Sequence, residues 1–314
     1  MKKKIIVIVG PTASGKTALG VHIAEKFNGE VVSADSMQIY KGMDIATAKP
    51  TPAEMHGILH HLIGFLEPCE KYSVSSFCKD AENAVNGIIS RNKLPVMVGG
   101  TGLYIDSFIT AAEFLEDASS SEVRERLKTE LAERGIDEMY AELSAVDPES
   151  VSVIHKNNTV RVLRALEVYR TTGKTITEQK KLSHLTESEY EPLFIGIGFN
   201  DREVLYDRIN KRVDLMLENG LLNEAVEFYK NAYSCTSVNA IGYKELKPYI
   251  DGVASLDECI ETLKRETRKY AKRQLTWFRR NENINWLYFD KFDNIHSFFN
   301  AADSLAAKFT EVTI

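Results

Sequence analysis

Residues 4–19 read K-I-I-V-I-V-G-P-T-A-S-G-K-T-A-L. The apolar run Ile5 to Val9 enters a glycine-bounded loop, Gly10-Pro11-Thr12-Ala13-Ser14-Gly15-Lys16-Thr17. β-Branched residues throughout the run suit a strand covered on both faces. Leu19, Ile23 and Phe27 recur at helical spacing after the loop. A G-x-x-x-x-G-K-T loop between strand and helix is a phosphate cradle. Its glycines let backbone N–H groups converge on phosphate oxygens, Lys16 adds a point charge, and the Thr17 hydroxyl can ligate Mg²⁺. The helix start aims its positive dipole end at the same spot.

Outward from this loop the pattern repeats. Val31 to Asp35 reads as a short strand ending on an acid. Val74, Phe77, Ala81, Val85 and Ile88 mark an amphipathic helix with Ser73 as N-cap. Pro95 to Val98 is a strand running into the turn Gly99-Gly100-Thr101-Gly102. This alternation predicts an α/β fold: a parallel sheet flanked by helices, like that of P-loop NTPases. Residues 115–185 carry no strand pattern and are dense in Glu, Arg and Lys, which predicts an inserted all-helical subdomain. Ser119-Ser120-Ser121-Glu122 offers a capping box for a helix ending at Gly135, and Asn157-Asn158 caps a second running to about Gly173. Phe194 to Phe199 restores a strand, and Trp286 to Phe289 adds a last one. The catalytic core therefore comprises 1–114 and 186–314, and 115–185 is the insertion.

The 314 residues are 44% hydrophobic and 27% charged, an ordinary globular mix, and the net charge of −6 gives no whole-molecule attraction to polyanions. Cys69, Cys78, Cys235 and Cys259 form no C-x-x-C pair, so neither a zinc site of that type nor a disulfide framework is expected. The apolar run after Lys2-Lys3-Lys4 is shorter than the ~7–15 residues of a signal core. No stretch reaches membrane-spanning length, so a cytoplasmic protein is expected, with a monomer favoured.

Ligands in such sheets lie beyond the carboxyl ends of the strands. Asp35 and Thr101 should therefore face the loop, Asp35 as metal ligand or as base, with a turn-capping role as the plainer alternative. The strand ending in Gly99-Gly100-Thr101 lacks the acid with which nucleoside triphosphatases hold Mg²⁺. Asp201 opens a helix and is explained by capping. Arg208 and Arg212 share a helix face. They are either a solvated pair for Asp207 and Asp214 or a guanidinium lid over a diphosphate. Residues 264–280 hold eight basic side chains and one acid, with Tyr270, Trp277 and Phe278 interleaved. That is a local cationic stripe suited to a nucleic-acid backbone, which Arg161 and Arg164 could extend. The adjacent His60-His61 reads as a structural or turn pair.

Taken together these stretches resemble the bacterial tRNA dimethylallyltransferases, also called tRNA isopentenyltransferases. The matches are Gly10–Thr17, Ala34-Asp-Ser-Met-Gln-Ile-Tyr40, Lys41-Gly-Met-Asp-Ile-Ala-Thr-Ala-Lys-Pro50, Val98-Gly-Gly-Thr-Gly-Leu-Tyr104, Arg161-Val-Leu-Arg-Ala-Leu-Glu167, Ile241-Gly-Tyr-Lys-Glu245 and Lys272-Arg-Gln-Leu-Thr-Trp277. The chain departs at Gly64, where the family commonly has an acid. The resemblance implies transfer of a dimethylallyl group from dimethylallyl diphosphate to the N6 amine of the tRNA adenosine 3′-adjacent to the anticodon. It further implies Mg²⁺ at Thr17 and the diphosphate on Gly10, Pro11, Thr12, Ala13, Ser14, Gly15, Lys16 and Thr17. Lys16, Asp35 as general base and Thr101 would be catalytic; Arg208 or Arg212 would close on the diphosphate. The tRNA would be met by Asp35, Ser36, Met37, Gln38, Thr101, Arg161, Arg164, Arg273 and Gln274. The residues alone also admit a small-molecule or nucleotide kinase, a free-adenylate prenyltransferase, or a non-enzymatic RNA-binding protein.

Overall fold

The computed structural model describes residues 2–111, 121–183, 188–230 and 236–311. Its strands and helices follow in the order β1 (Lys3–Val9), α1 (Lys16–Lys26), β2 (Gly29–Ser33), β3 (His60–His61), α2 (Val74–Ser90), β4 (Leu94–Gly99) and α3 (Gly102–Ile109). α4 (Ser121–Val146), α5 (Pro148–Val151), α6 (Thr159–Thr172) and α7 (Ile176–Ser183) come next. They are followed by β5 (Tyr190–Gly198), α8 (Arg202–Glu218), α9 (Leu221–Lys230), α10 (Tyr243–Ile250), α11 (Leu256–Phe278), β6 (Asn285–Tyr288) and α12 (Ile295–Glu311).

The strands form one parallel sheet in the order β3-β2-β4-β1-β5-β6, the α/β architecture expected. β1 lies in the middle, bonded to β4 and β5, and Ile5 to Val9 are wholly buried. Removing each such side chain from water contributes roughly 1.5–3 kcal/mol. Ile6 and Ile8 pack with Leu19 and Ile23 of α1, Leu205 and Ile209 of α8, Ala271 of α11 and Phe298 of α12 in one core. A second apolar cluster joins Ile39, Tyr40 and Met43 to Val213, Leu221, Tyr243 and Leu263. All strand carboxyl ends open on one edge of the sheet, which fixes where the phosphate loop and Asp35 meet.

Ser73 caps α2 by accepting from Ser76 N–H, and Asp201 caps α8 by accepting from Glu203 N–H. The His pair differs from the turn reading: His60 and His61 form a short edge strand pairing with Val31 and Val32. His61 Nε2 lies 2.8 Å from the carboxylate of Glu30, which is 2% exposed and also paired with Arg91. The pair is structural, yet it is strand rather than turn.

The chain separates into two compact units, 1–106 with 190–314, and 107–189. The boundaries expected at 115 and 185 lie outside the described residues, as do Ser119 and Ser120 of the expected capping box. The described residues of the second unit form helices and no strand, and have their own core of Leu127, Met139, Leu143, Val162 and Leu166. The helix opening at Ser121 ends at Gly135 as expected: φ of 77° and ψ of 169° there are non-helical, and α4 is two helices meeting at that kink. Asn158 caps α6, which closes on Gly173 in the left-handed conformation. Among the described residues no helix is long and apolar enough to cross a membrane.

Candidate active site

The phosphate loop joins β1 to α1 in a conformation that only part of its sequence favours. Ala13 sits at φ +62°, a left-handed angle costing a non-glycine residue roughly 1–2 kcal/mol. Its carbonyl accepts a 2.9 Å hydrogen bond from Arg208 Nε. Ser14 Oγ is buried and finds no partner among the described residues. A buried hydroxyl left unpaired is a group that an incoming phosphate oxygen can satisfy.

Three cations surround this loop. Lys16 donates from Nζ to Pro11 O at 2.7 Å. Burial of its ammonium, and next the charge of Arg212, lower its pKa to about 7, against the opposing pull of Asp35. Arg208 reaches the loop from α8: a Cβ on Gly15 would lie 3.7 Å from its Nη2. Its guanidinium is backed by Phe289 and Phe199, 4.7 and 5.8 Å from the ring centroids. Arg212, one turn further along α8, makes no ion pair or hydrogen bond among the described residues. Burial lowers its pKa, with Asp35 and Glu54 acting the other way. Asp214, weighed in sequence as a partner for this pair, instead binds Lys264 at 2.8 Å. Arg208 thus reaches the loop directly, and Arg212 is near enough for its charge to act on Lys16.

Asp35 stands at the end of β2. Its Oδ1 accepts from Met37 N–H at 2.9 Å and from Gln38 N–H at 3.3 Å, so the carboxylate caps the turn it opens. No hydrogen bond reaches Oδ2 among the described residues. Thr101 clips the same turn to β4: its Oγ1 accepts from Ser36 N–H at 3.0 Å, and its own N–H donates to Ala34 O. Gly99 is required at that junction, since a Cβ there would lie 2.2 Å from Ala34 O.

Two residues expected to meet RNA also hold side-chain bonds inside the protein. Gln274 of α11 is 5% exposed and committed at both ends: Oε1 accepts from Thr12 N–H at 2.8 Å and Nε2 donates to Gly100 O at 3.1 Å. It braces the phosphate loop against the Gly99-Gly100 turn. Gln38 likewise spends its amide inside the protein, donating to Thr47 O and Ala48 O and accepting from Ser33 Oγ. The Met37 side chain leans on the second apolar cluster. Replacing Gln274 by leucine should strand Thr12 N–H and Gly100 C=O, lowering stability by about 1–3 kcal/mol and weakening diphosphate binding. Urea denaturation checks the first effect; an unchanged midpoint would show the brace to be idle.

The cationic stripe is also less free than its sequence suggests. Lys264 pairs with Asp214, Lys269 and Arg265 with Glu266, and Arg268 donates to Asn210 Oδ1. Lys272, Arg273, Arg279 and Arg280 remain exposed. In the helical unit Arg161 is exposed, whereas Arg164 and Arg124 both pair with the buried Glu167. Tyr270, read in sequence only as an aromatic interleaved in the stripe, has its phenol pushed up in pKa by burial, then by Asp35, with Arg273 and Gln274 opposing. A signal existed: Tyr270, Ala271, Gln274 and Phe278 fall on one face of α11, where a polar residue among buried ones marks a site.

For a metal, the described residues hold no cluster of three His, Cys, Asp or Glu side chains. Thr17 lines a small cavity together with Ser33 and Gln38, all oxygen-bearing side chains. Ser33 and Gln38 are bonded to each other, so of the three the Thr17 hydroxyl is the one left to meet a Mg²⁺ whose remaining ligands would be diphosphate oxygens and water.

A profile for IPP transferase matches residues 38–281, and one for isopentenyl transferase matches residues 3–63. The chain is similar to the tRNA dimethylallyltransferase of Thermoanaerobacter sp. (strain X514), 48% identical over 297 residues and 94% of each chain. It is 47% identical to that of Bacillus subtilis (strain 168) over 286 residues, 91% of this chain and 90% of the relative. Among solved structures, the full-length tRNA isopentenylpyrophosphate transferase from Bacillus halodurans superposes with a TM-score of 0.71 at 42% identity, covering 99% of both chains. A eukaryotic dimethylallyltransferase acting on tRNA gives 0.84 at 30% identity, over 98% of this chain and 80% of the other.

Proposed function

The chain belongs to the IPP transferase family of tRNA dimethylallyltransferases, and from that membership we propose that it prenylates the N6 amine of the adenosine 3′-adjacent to the anticodon, releasing pyrophosphate. The observation that carries the reading is the set of Lys16, Arg208 and Arg212 at one phosphate loop, with the Asp35 carboxylate close enough for its charge to act on Lys16 and Arg212. Three cations suit a leaving group that departs as an intact diphosphate, and one base suits an amine nucleophile.

In the transfer, the bond from C1 of the dimethylallyl group to the diphosphate oxygen breaks, and its electron pair leaves with the diphosphate. The bond from C1 to N6 forms, and the N6 proton passes to Asp35 Oδ2. Gly10 to Thr17 bind the diphosphate through backbone N–H groups and the Ser14 hydroxyl, while Lys16 and the arginines meet the charge that develops on it. Mg²⁺, held through Thr17, would supply further neutralisation of that charge. Thr101 holds Ser36 and so sets the position of the base.

An adenine stacked in an anticodon loop must be splayed out to reach this carboxylate. The turn Asp35 to Gln38, through backbone and the Ser36 hydroxyl, receives it. Arg273 and the neighbouring exposed cations of α11 grip the phosphates, and Arg161, with Arg164 beside it, does so from the helical unit. In this reading the enzyme works in the cytoplasm, with a monomer favoured.

The test uses labelled dimethylallyl diphosphate, Mg²⁺ and bulk tRNA. Label should enter tRNA without ATP. Transfer of a γ-phosphate from ATP to an acceptor would replace this reading with a kinase, the alternative that the glycine turn after β4 disfavours.

A further inference from the structure

The stretches Lys41–Pro50 and Ile241–Glu245 make no hydrogen bond to the phosphate loop or to Asp35 among the described residues, yet the fold brings both against one side chain. Glu224, on α9, seats its carboxylate in a row of backbone donors. Asp44 and Ile45 N–H each donate to Oε2 at 2.8 Å, and Ala46 N–H donates to Oε1 at 2.9 Å. The hydroxyl of the fully buried Tyr243 donates to Oε1 at 2.9 Å. Gly242, at φ +111°, carries the chain past this loop so closely that a Cβ would lie 3.1 Å from Ala46 Cβ. Successive N–H groups of this kind form a concavity that favours an anion. A neutral amide cannot replace the carboxylate, because one of its two ends would turn N–H toward N–H.

The anchored loop runs on to Thr47 and Ala48, whose carbonyls accept from Gln38 Nε2 at 3.2 and 3.1 Å. The Gln38 backbone N–H in turn donates to Asp35 Oδ1. A continuous path of hydrogen bonds and short backbone thus joins Glu224 to the carboxylate. We propose that Glu224, oriented by Tyr243, is a positioning residue for the transfer step, fixing the Asp35 carboxylate through the 44–48 loop and Gln38. This rests on Asp35 being the base. It gives both motifs one task, which neither phosphate binding nor RNA contact requires of them. The path does not pass through the phosphate loop, so diphosphate binding should be indifferent to it.

The experiment compares Glu224→Gln and Tyr243→Phe, each in the wild-type and in the Asp35→Ala background. The readouts are kcat, KM for dimethylallyl diphosphate, pyrophosphate affinity and thermal midpoint. Glu224→Gln should lower kcat about tenfold or more, since a misplacement of about 1 Å in a reacting group can cost a hundredfold. KM and pyrophosphate affinity should stay within about twofold, and Tyr243→Phe should show a smaller loss of the same kind. On top of Asp35→Ala, either substitution should lower kcat no further, because its route to the chemistry is already gone. Wild-type kcat in Glu224→Gln, or an equal loss in both backgrounds, overturns the proposal while leaving the base assignment intact. Should Glu224→Gln fail to fold, Tyr243→Phe makes the same comparison. Near-wild-type turnover of Asp35→Ala alone overturns the base assignment, and the proposal with it.

Discussion

Asp35→Ala should lose about 10²–10⁴-fold in turnover, the range over which a positioned general base contributes. Binding of tRNA and dimethylallyl diphosphate should survive, because the diphosphate is held by the phosphate loop and its cations rather than by this carboxylate. Alanine removes two things at once, however. Oδ1 caps the turn through Met37 and Gln38 N–H, while Oδ2 is the oxygen free to take a proton. Asp35→Asn separates them, since its carbonyl can keep both N–H bonds and its amide cannot accept the N6 proton. Asparagine should therefore match alanine in kcat while retaining the wild-type thermal midpoint. An asparagine variant that turns over near wild-type would show the carboxylate to be a cap and nothing more. Any excess loss in alanine over asparagine measures the turn.

The sheet was legible because its signals are local. Ile5 to Val9 declares a buried strand through five adjacent residues, and the glycine loop behind it declares the turn. Ser73, Asn158 and Asp201 cap their helices through bonds spanning two or three residues, which a sequence displays directly. β3 was illegible for the opposite reason: two histidines at an edge carry no periodicity, and their pairing with Val31 and Val32 is a tertiary fact. The site divides the same way. Lys16, Thr17, Asp35 and Thr101 are announced by their position after strands. Gln274 grips Thr12 from 262 residues away, so its role as a brace could not be read from its neighbours in sequence. The stripe on α11 was legible only in part, because counting within 264–280 cannot see Asp214 and Asn210 arriving from α8.

Lys16→Met should weaken dimethylallyl diphosphate binding at pH 6.5 by about tenfold or more, equivalent to at least ~1.4 kcal/mol. The gap should then narrow as pH rises. Burial and Arg212 hold the Lys16 ammonium at a pKa of about 7 in the free protein. A bound diphosphate supplies opposite charge and raises that pKa. Below pH 7 the lysine is already charged and the full advantage over methionine is present. Above pH 7 binding must first take up a proton, so the wild-type advantage falls by up to about tenfold per pH unit until the pKa of the bound state is reached. The ligand's own ionisation is common to both proteins and cancels in their ratio. Proton uptake measured calorimetrically in buffers of different ionisation enthalpy provides a second reading, absent in the methionine variant. The electrostatics also fix which way neighbours move the limb. Asp35 pulls the Lys16 pKa up and Arg212 pushes it down. Asp35→Asn should therefore shift the onset to lower pH, and Arg212→Met to higher pH. Displacement of both in the same direction would mean that the limb belongs to another group, and that Lys16 meets the diphosphate already charged throughout.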